Sequence, residues 1–247
     1  AGDEIFDPRP YCEIARQWST LAPEFMFLPR KFKIAFAGGS EDRAAIRFYD
    51  IGVRAKVSDA GERGFEVFVG GGMGRTPMLG RPAKDFLPGN EVLNYFEAIL
   101  RVYNRYGRPD NKYKARIKIL VKDLTQEGFA SEVDTEWAHL RGGPNTIPDE
   151  TISAMETFFA PPAYNDLETG GPKLGEPAIA NRQFARWVSR SVSLHRHPGY
   201  AIVTLSLKKT GIPPGDATAL QMDAIADMAE RFSFGEVRVT HEQNLVL

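Results

Sequence analysis

Leu28-Pro29-Arg30-Lys31-Phe32-Lys33-Ile34-Ala35-Phe36-Ala37 places three cations in four positions directly before an alternation of apolar and small residues. The pattern from Phe32 to Ala37 predicts a β-strand. Side chains two apart on a strand share a face, so Lys31 and Lys33 point one way while Phe32 packs on the other. Two ammonium groups held side by side repel each other unless an anion lies between them. The stretch is therefore either a solvated strand end or an anion site.

Downstream, Ala45 to Val57 and Phe65 to Val69 read as two more strands, separated by the turn-rich Ser58-Asp59-Ala60-Gly61. From Glu91 to Tyr106, Val92, Leu93, Tyr95, Phe96, Ile99, Leu100 and Tyr103 recur at helical spacing. Segment 113–124 continues helical, and 125–140 reads as a further helix. Strands followed by helices predict an α+β class. Between Gly142 and Pro177 lie five glycines and six prolines, the density of a connecting segment, with a short helix inside it over Thr151 to Phe159. This divides the chain into a domain at 1–150, a linker at 151–179 and a second domain at 180–247. In the second, Tyr200 to Leu207 alternates as a strand. Asp216 stands where an N-cap belongs, before a helix over Ala217 to Phe232 with Leu220, Ile225, Met228 and Ala229 on one face, and Glu236 to Leu247 is a closing strand. That strand has no visible continuation, which predicts a polypeptide that is part of something longer.

The 247 residues are 43% apolar and 26% charged, enough for one large or two modest domains with their own cores. Lys plus Arg is 31 against Asp plus Glu at 32, a net charge of -1 that carries no basic signature for nucleic acid. Cys12 is the one cysteine. It excludes an intrachain disulfide and a self-contained thiolate cluster, and fits a reducing, cytoplasmic setting. No apolar run approaches the roughly 18 residues that span a bilayer, and the opening Ala1-Gly2-Asp3-Glu4 is unlike a signal peptide. A membrane partner is not expected.

Two further stretches carry chemistry. Val69-Gly70-Gly71-Gly72-Met73-Gly74-Arg75 is a glycine loop directly after a strand, where main-chain N–H groups can approach a ligand closely. It matches neither the dinucleotide fingerprint nor a Walker loop, and reads equally as a tight turn or a cofactor-contacting loop. From Arg101 to Lys122 run eight cations against Asp110 alone, a local charge of +7. Its readings are a solvated helical face or a surface for anionic partners. His139, His195, His197 and His241 form no metal motif, and no nucleophile elbow is present.

With these residues in hand, the chain resembles the sulfite and nitrite reductase hemoprotein family, whose members bind siroheme coupled to a four-iron four-sulfur cluster. The resemblance rests on Phe27-Leu28-Pro29-Arg30-Lys31-Phe32-Lys33, the loop Val69 to Gly74, the segment Ala115-Arg116-Ile117-Lys118-Ile119-Leu120-Val121, and the closing Val237-Arg238-Val239-Thr240-His241-Glu242-Gln243-Asn244-Leu245, in the family's order. It implies a siroheme-binding α/β domain of that type, N-terminally incomplete, followed by a second ferredoxin-like half-domain. It implies six-electron reduction of nitrite to ammonia or sulfite to sulfide, with ferredoxin or a flavoprotein reductase as electron donor. By the same resemblance Lys31 and Lys33 face the substrate. Arg30, Lys31, Gly70, Gly71, Gly72, Met73, Gly74 and Asn244 contact the carboxylate-rich siroheme. Lysines in that place compensate the anion's charge and supply protons. The family's four cluster cysteines are absent, as are its first half-domain and upstream arginines. The resemblance thus implies a chain that needs the remaining segments of a parent reductase for turnover. The alternative is a non-catalytic module of the same fold, docking an acidic electron-transfer partner or an anionic ligand through the basic run.

Overall fold

The computed structural model describes residues 3–167 and 180–247. The rest of the expected linker, 168–179, lies outside the described residues. Two compact units are present, Asp3–Ala160 and Pro161–Leu247. The helix expected inside the connection is Asp149–Phe158, and it belongs to the first unit, where Ile152 and Met155 pack on the core.

The first unit opens with helix α1 (Arg9–Leu21), started by Pro10 in its first turn, and a single turn α2 (Pro23–Met26). Strands β1 (Ile34–Ala37), β2 (Ile51–Val57), β3 (Arg63–Val69) and β4 (Arg81–Pro88) form one sheet in that order. β1 runs parallel to β2, and the remaining neighbours are antiparallel. Helices α3 (Val92–Tyr106), α4 (Ile117–Leu124), α5 (Gln126–Leu140) and α6 (Asp149–Phe158) follow. The class is α+β.

Alternation in the strands sorts the core. Ile51, Val53 and Ala55 stand opposite Val69, Val67 and Phe65 across the β2–β3 register, and all six are buried in the main core with Tyr95, Phe96 and Ile99 of α3. Phe68, one step out of phase, joins Ala37 and Ile46 in a smaller cluster. Phe65 is the hub of the main core: its ring lies 4.9 Å from Tyr11, 5.4 Å from Phe6 and 5.7 Å from Phe36, each edge-on.

Three expectations are corrected here. The strand expected from Phe32 begins at Ile34, so Lys31 and Lys33 belong to the extended lead-in. The strand expected over Ala45 to Val57 is broken at its start: Ala45 takes a left-handed φ of 51°, Asp42 accepts the Ile46 N–H at 2.7 Å, and a 3-10 turn occupies Ile46–Phe48 before β2 begins. The helix expected from 113 begins at Ile117.

The second unit contains α7 (Arg182–Ser191), β5 (Val192–Leu194), β6 (Ala201–Ser206), α8 (Ala219–Phe232), β7 (Arg238–Val239) and β8 (Asn244–Val246). The sheet order is β5-β6-β8-β7 with antiparallel neighbours, so β6 and β7 run parallel on either side of β8. The β6–α8–β7 connection is therefore a split crossover. The closing strand expected over Glu236 to Leu247 is instead a hairpin, turned at Gln243 with φ 59°. The cap of α8 is Thr218 in a capping box with Gln221, not Asp216, because the helix starts two residues later than its apolar spacing suggests. Among the described residues no helix is long and apolar enough to cross a membrane.

Phe65→Ala removes the ring that three aromatic neighbours share. It is expected to lower the stability of the first unit by about 3–5 kcal/mol, read as an earlier urea midpoint by circular dichroism. A loss under about 1 kcal/mol would show that Phe65 is not the hub.

Candidate functional site

β3 delivers the chain to Gly70, which turns it with φ +87° and donates its N–H to the Asp50 carbonyl at 3.1 Å. A side chain at Gly71 would collide with the main-chain oxygens of Arg47 and Tyr49, so glycine is required there. Gly72 and Met78 exchange two main-chain hydrogen bonds of 2.9 Å, closing a small hairpin. At its tip Gly74 has φ +100° with open space where a side chain would stand, and Met73 is 59% exposed. The loop is thus a packed turn at its base and an open main chain at its tip.

Asp50 underlies this arrangement and has no exposed surface. One carboxylate oxygen accepts from Arg116 Nε at 3.0 Å and Nη2 at 2.7 Å, and the other accepts the Lys33 N–H at 3.0 Å. With the Gly70 bond to its carbonyl, this one residue ties together the lysine stretch, the glycine loop and the basic segment. Burial pushes its carboxyl above the ordinary value, against the opposing pull of Arg116 and the Lys33 N–H. Sequence reasoning missed it, because a lone Asp between Tyr49 and Ile51 carries no motif.

Lys118 is also buried. Its ammonium donates to the carbonyls of Met73 at 3.3 Å and Thr76 at 2.5 Å, fixing the loop tip from beneath. Burial and, next, the Arg116 charge push it below the ordinary lysine value. A cleft of about 700 Å³ runs from Gly70 past Arg47, Arg81, Lys118 and Lys122, with Glu127 as its one carboxylate. β4, which sequence reasoning also missed, brings Arg81 to it.

Lys31 and Lys33 are exposed, and Phe32 between them packs on Phe25 and Tyr103 with ring centroids 6.2 and 5.9 Å away. The Lys33 ammonium lies 5.5 Å above the Tyr49 ring. Arg30 is exposed at the bend before them. Asn244 belongs to the second unit, where its buried Oδ1 accepts from Lys208 Nζ at 2.6 Å. The +7 run divides. Arg101 and Arg105 pair with Glu136, Arg101 also with Glu97, and Arg108 with Asp110, whereas Arg116, Lys118 and Lys122 turn to the loop and cleft.

A ligand rich in carboxylates fits these residues: a cleft with four cations beside a glycine tip that leaves its main chain open. A metal cluster does not. Among the described residues no group of three or more His, Cys, Asp or Glu is placed to hold a metal ion, and the sequence has the single Cys12.

Family models match both units of the chain. Residues 1–140 match the model described as the nitrite and sulphite reductase 4Fe-4S domain, and residues 209–247 match the nitrite/sulfite reductase ferredoxin-like half domain. A chloroplastic ferredoxin–nitrite reductase of Arabidopsis thaliana is 27% identical over 99% of the chain and 37% of its own length. A ferredoxin sulfite reductase of Mycolicibacterium paratuberculosis is 32% identical over 59% of the chain and 26% of its own length. The structure of the Mycobacterium tuberculosis NirA protein superposes with a TM-score of 0.64 at 25% identity, covering 99% of the chain and 37% of that protein. The chain thus spans little more than a third of the relatives it matches along its whole length.

Asp50→Asn keeps the shape but leaves Arg116 without its counter-charge. The expected stability loss is about 3 kcal/mol, with faster hydrogen exchange at the Lys33 amide. Unchanged exchange at Lys33 would show that Asp50 does not hold the lysine stretch.

Proposed function

The chain belongs to the nitrite and sulphite reductase family, and from that premise we propose that it supplies the anion-handling wall of a siroheme-dependent reductase of nitrite or sulfite. The observation that carries this reading is the Asp50 knot, which holds Lys33, the glycine loop and Arg116 in one place. Siroheme, when bound, supplies electrons to the oxyanion. This chain's own residues would bind and orient the anion and hold the protons it needs.

Arg47, Arg81, Lys118 and Lys122, which line the cleft, would hold the siroheme carboxylates, and Gly74 would leave room beside them. Arg30, Gly70, Gly71, Gly72 and Met73 would complete that contact in the assembled reductase. Lys31 and Lys33 serve the substrate. Among the described residues neither ammonium forms an ion pair, so their positive charge is available to a small oxyanion. Loss of each oxygen as water requires protons, and the Nζ–H groups of the two lysines deliver them. The four-iron four-sulfur cluster draws its ligands from other segments of the parent reductase. Ferredoxin or a flavoprotein reductase would serve as the electron donor of the parent reductase.

Titration of the chain with siroheme is expected to shift the visible spectrum, and Arg81→Gln with Lys122→Gln to weaken that binding. In the reductase containing this chain, Lys33→Ala is expected to lower kcat for nitrite or sulfite with reduced methyl viologen by about 100-fold. Unchanged turnover in both Lys31→Ala and Lys33→Ala would overturn the assignment.

A further inference from the structure

The Lys33 side chain crosses the ring of Tyr49, its ammonium 5.5 Å from the centroid. Tyr49 is itself fixed on both sides. Its N–H closes the 3-10 turn on the Ile46 carbonyl at 3.1 Å, and its own carbonyl lies against the α-carbon of Gly71. The next residue, Asp50, holds the Lys33 N–H. Two consecutive residues therefore grip Lys33 at both ends, main chain and charge.

The choice of partner follows from the ligand. A carboxylate in place of the ring would order the lysine but neutralise it, and would repel any oxyanion. A tyrosine face attracts an ammonium through its quadrupole and adds no negative charge. Ordering the long lysine side chain in advance also removes rotamer entropy that an incoming anion must otherwise overcome. We propose that Tyr49 is a positioning residue for the Lys33 ammonium, holding it in place for a small oxyanion. The oxyanion rests on the function proposed above; the ring contact does not.

The test compares Tyr49→Phe and Tyr49→Leu with the unaltered 247-residue chain, following the Lys33 ε-methylene resonance by NMR. The unaltered chain and Tyr49→Phe are expected to show the ring-current shift, and Tyr49→Leu to lose it. Nitrite and sulfite titrations read at the same resonance are expected to agree within twofold for the first two and to weaken about threefold in Tyr49→Leu. A merely structural Tyr49 would lower the melting temperature of Tyr49→Leu and leave the Lys33 resonance in place, which would overturn the proposal. So would Tyr49→Phe behaving like Tyr49→Leu. If the ring-current pattern holds but neither anion moves the resonance in any of the three, positioning by the ring stands and the oxyanion assignment fails.

Discussion

A carboxylate with no exposed surface sets the conditions for everything around it. Withdrawing Asp50 from water costs several kcal/mol unless charge and hydrogen bonds replace the lost solvation. The replacements come from the guanidinium of Arg116 and the amide of Lys33, from segments 66 and 17 residues away in sequence. None of these can drift without leaving a buried charge short of a partner. The Lys33 stretch and the Arg116 segment are therefore fixed relative to one another by a single electrostatic requirement, and the glycine loop joins them through the carbonyl of the same residue.

That requirement also separates the cations by depth. Arg116 is matched by Asp50, and Lys118 is solvated by loop carbonyls, so these two build the loop. Arg47, with its Nε on the Gly80 carbonyl, borders the cleft. Lys31 and Lys33 stand at the surface without a counter-ion among the described residues. Arg116 and Lys118 thus have their charge matched or solvated within the fold, while Lys31 and Lys33 do not. The glycines follow the same division: Gly71 is required by the main-chain oxygens pressed against it, whereas Gly74 has open space beside it.

Much of the scaffold was legible because its elements bury one face. β3, α3 and α5 show the alternation or spacing that burial imposes, and their ends match the pattern closely. β4 was not legible: Pro82, Lys84 and Asp85 interrupt its pattern, which an edge strand paired on one side tolerates. The break before β2 was hidden too, because Ile46, Phe48 and Ile51 are apolar whether they lie in a strand or a 3-10 turn. The glycine loop and the two lysines were legible as local motifs. Asp50 was not, since its meaning depends on Arg116, and no local window contains both residues.

The basic run shows most plainly why charge counting falls short of a site. A local charge of +7 suggests a surface for anionic partners, yet helix α3 brings Arg101 and Arg105 against Glu97 and Glu136, and Arg108 closes on Asp110. Glu97 and Glu136 are buried, so the two arginines are committed to them, whereas the Arg108–Asp110 pair is exposed and contributes little. Further along, the chain enters α4, and Arg116 and Lys118 turn inward. Linear charge density records neither event, because both depend on carboxylates and carbonyls that other segments bring into reach. The cations that the fold leaves at the glycine loop, Arg116 and Lys118, are set apart from the rest of the run by burial more than by charge.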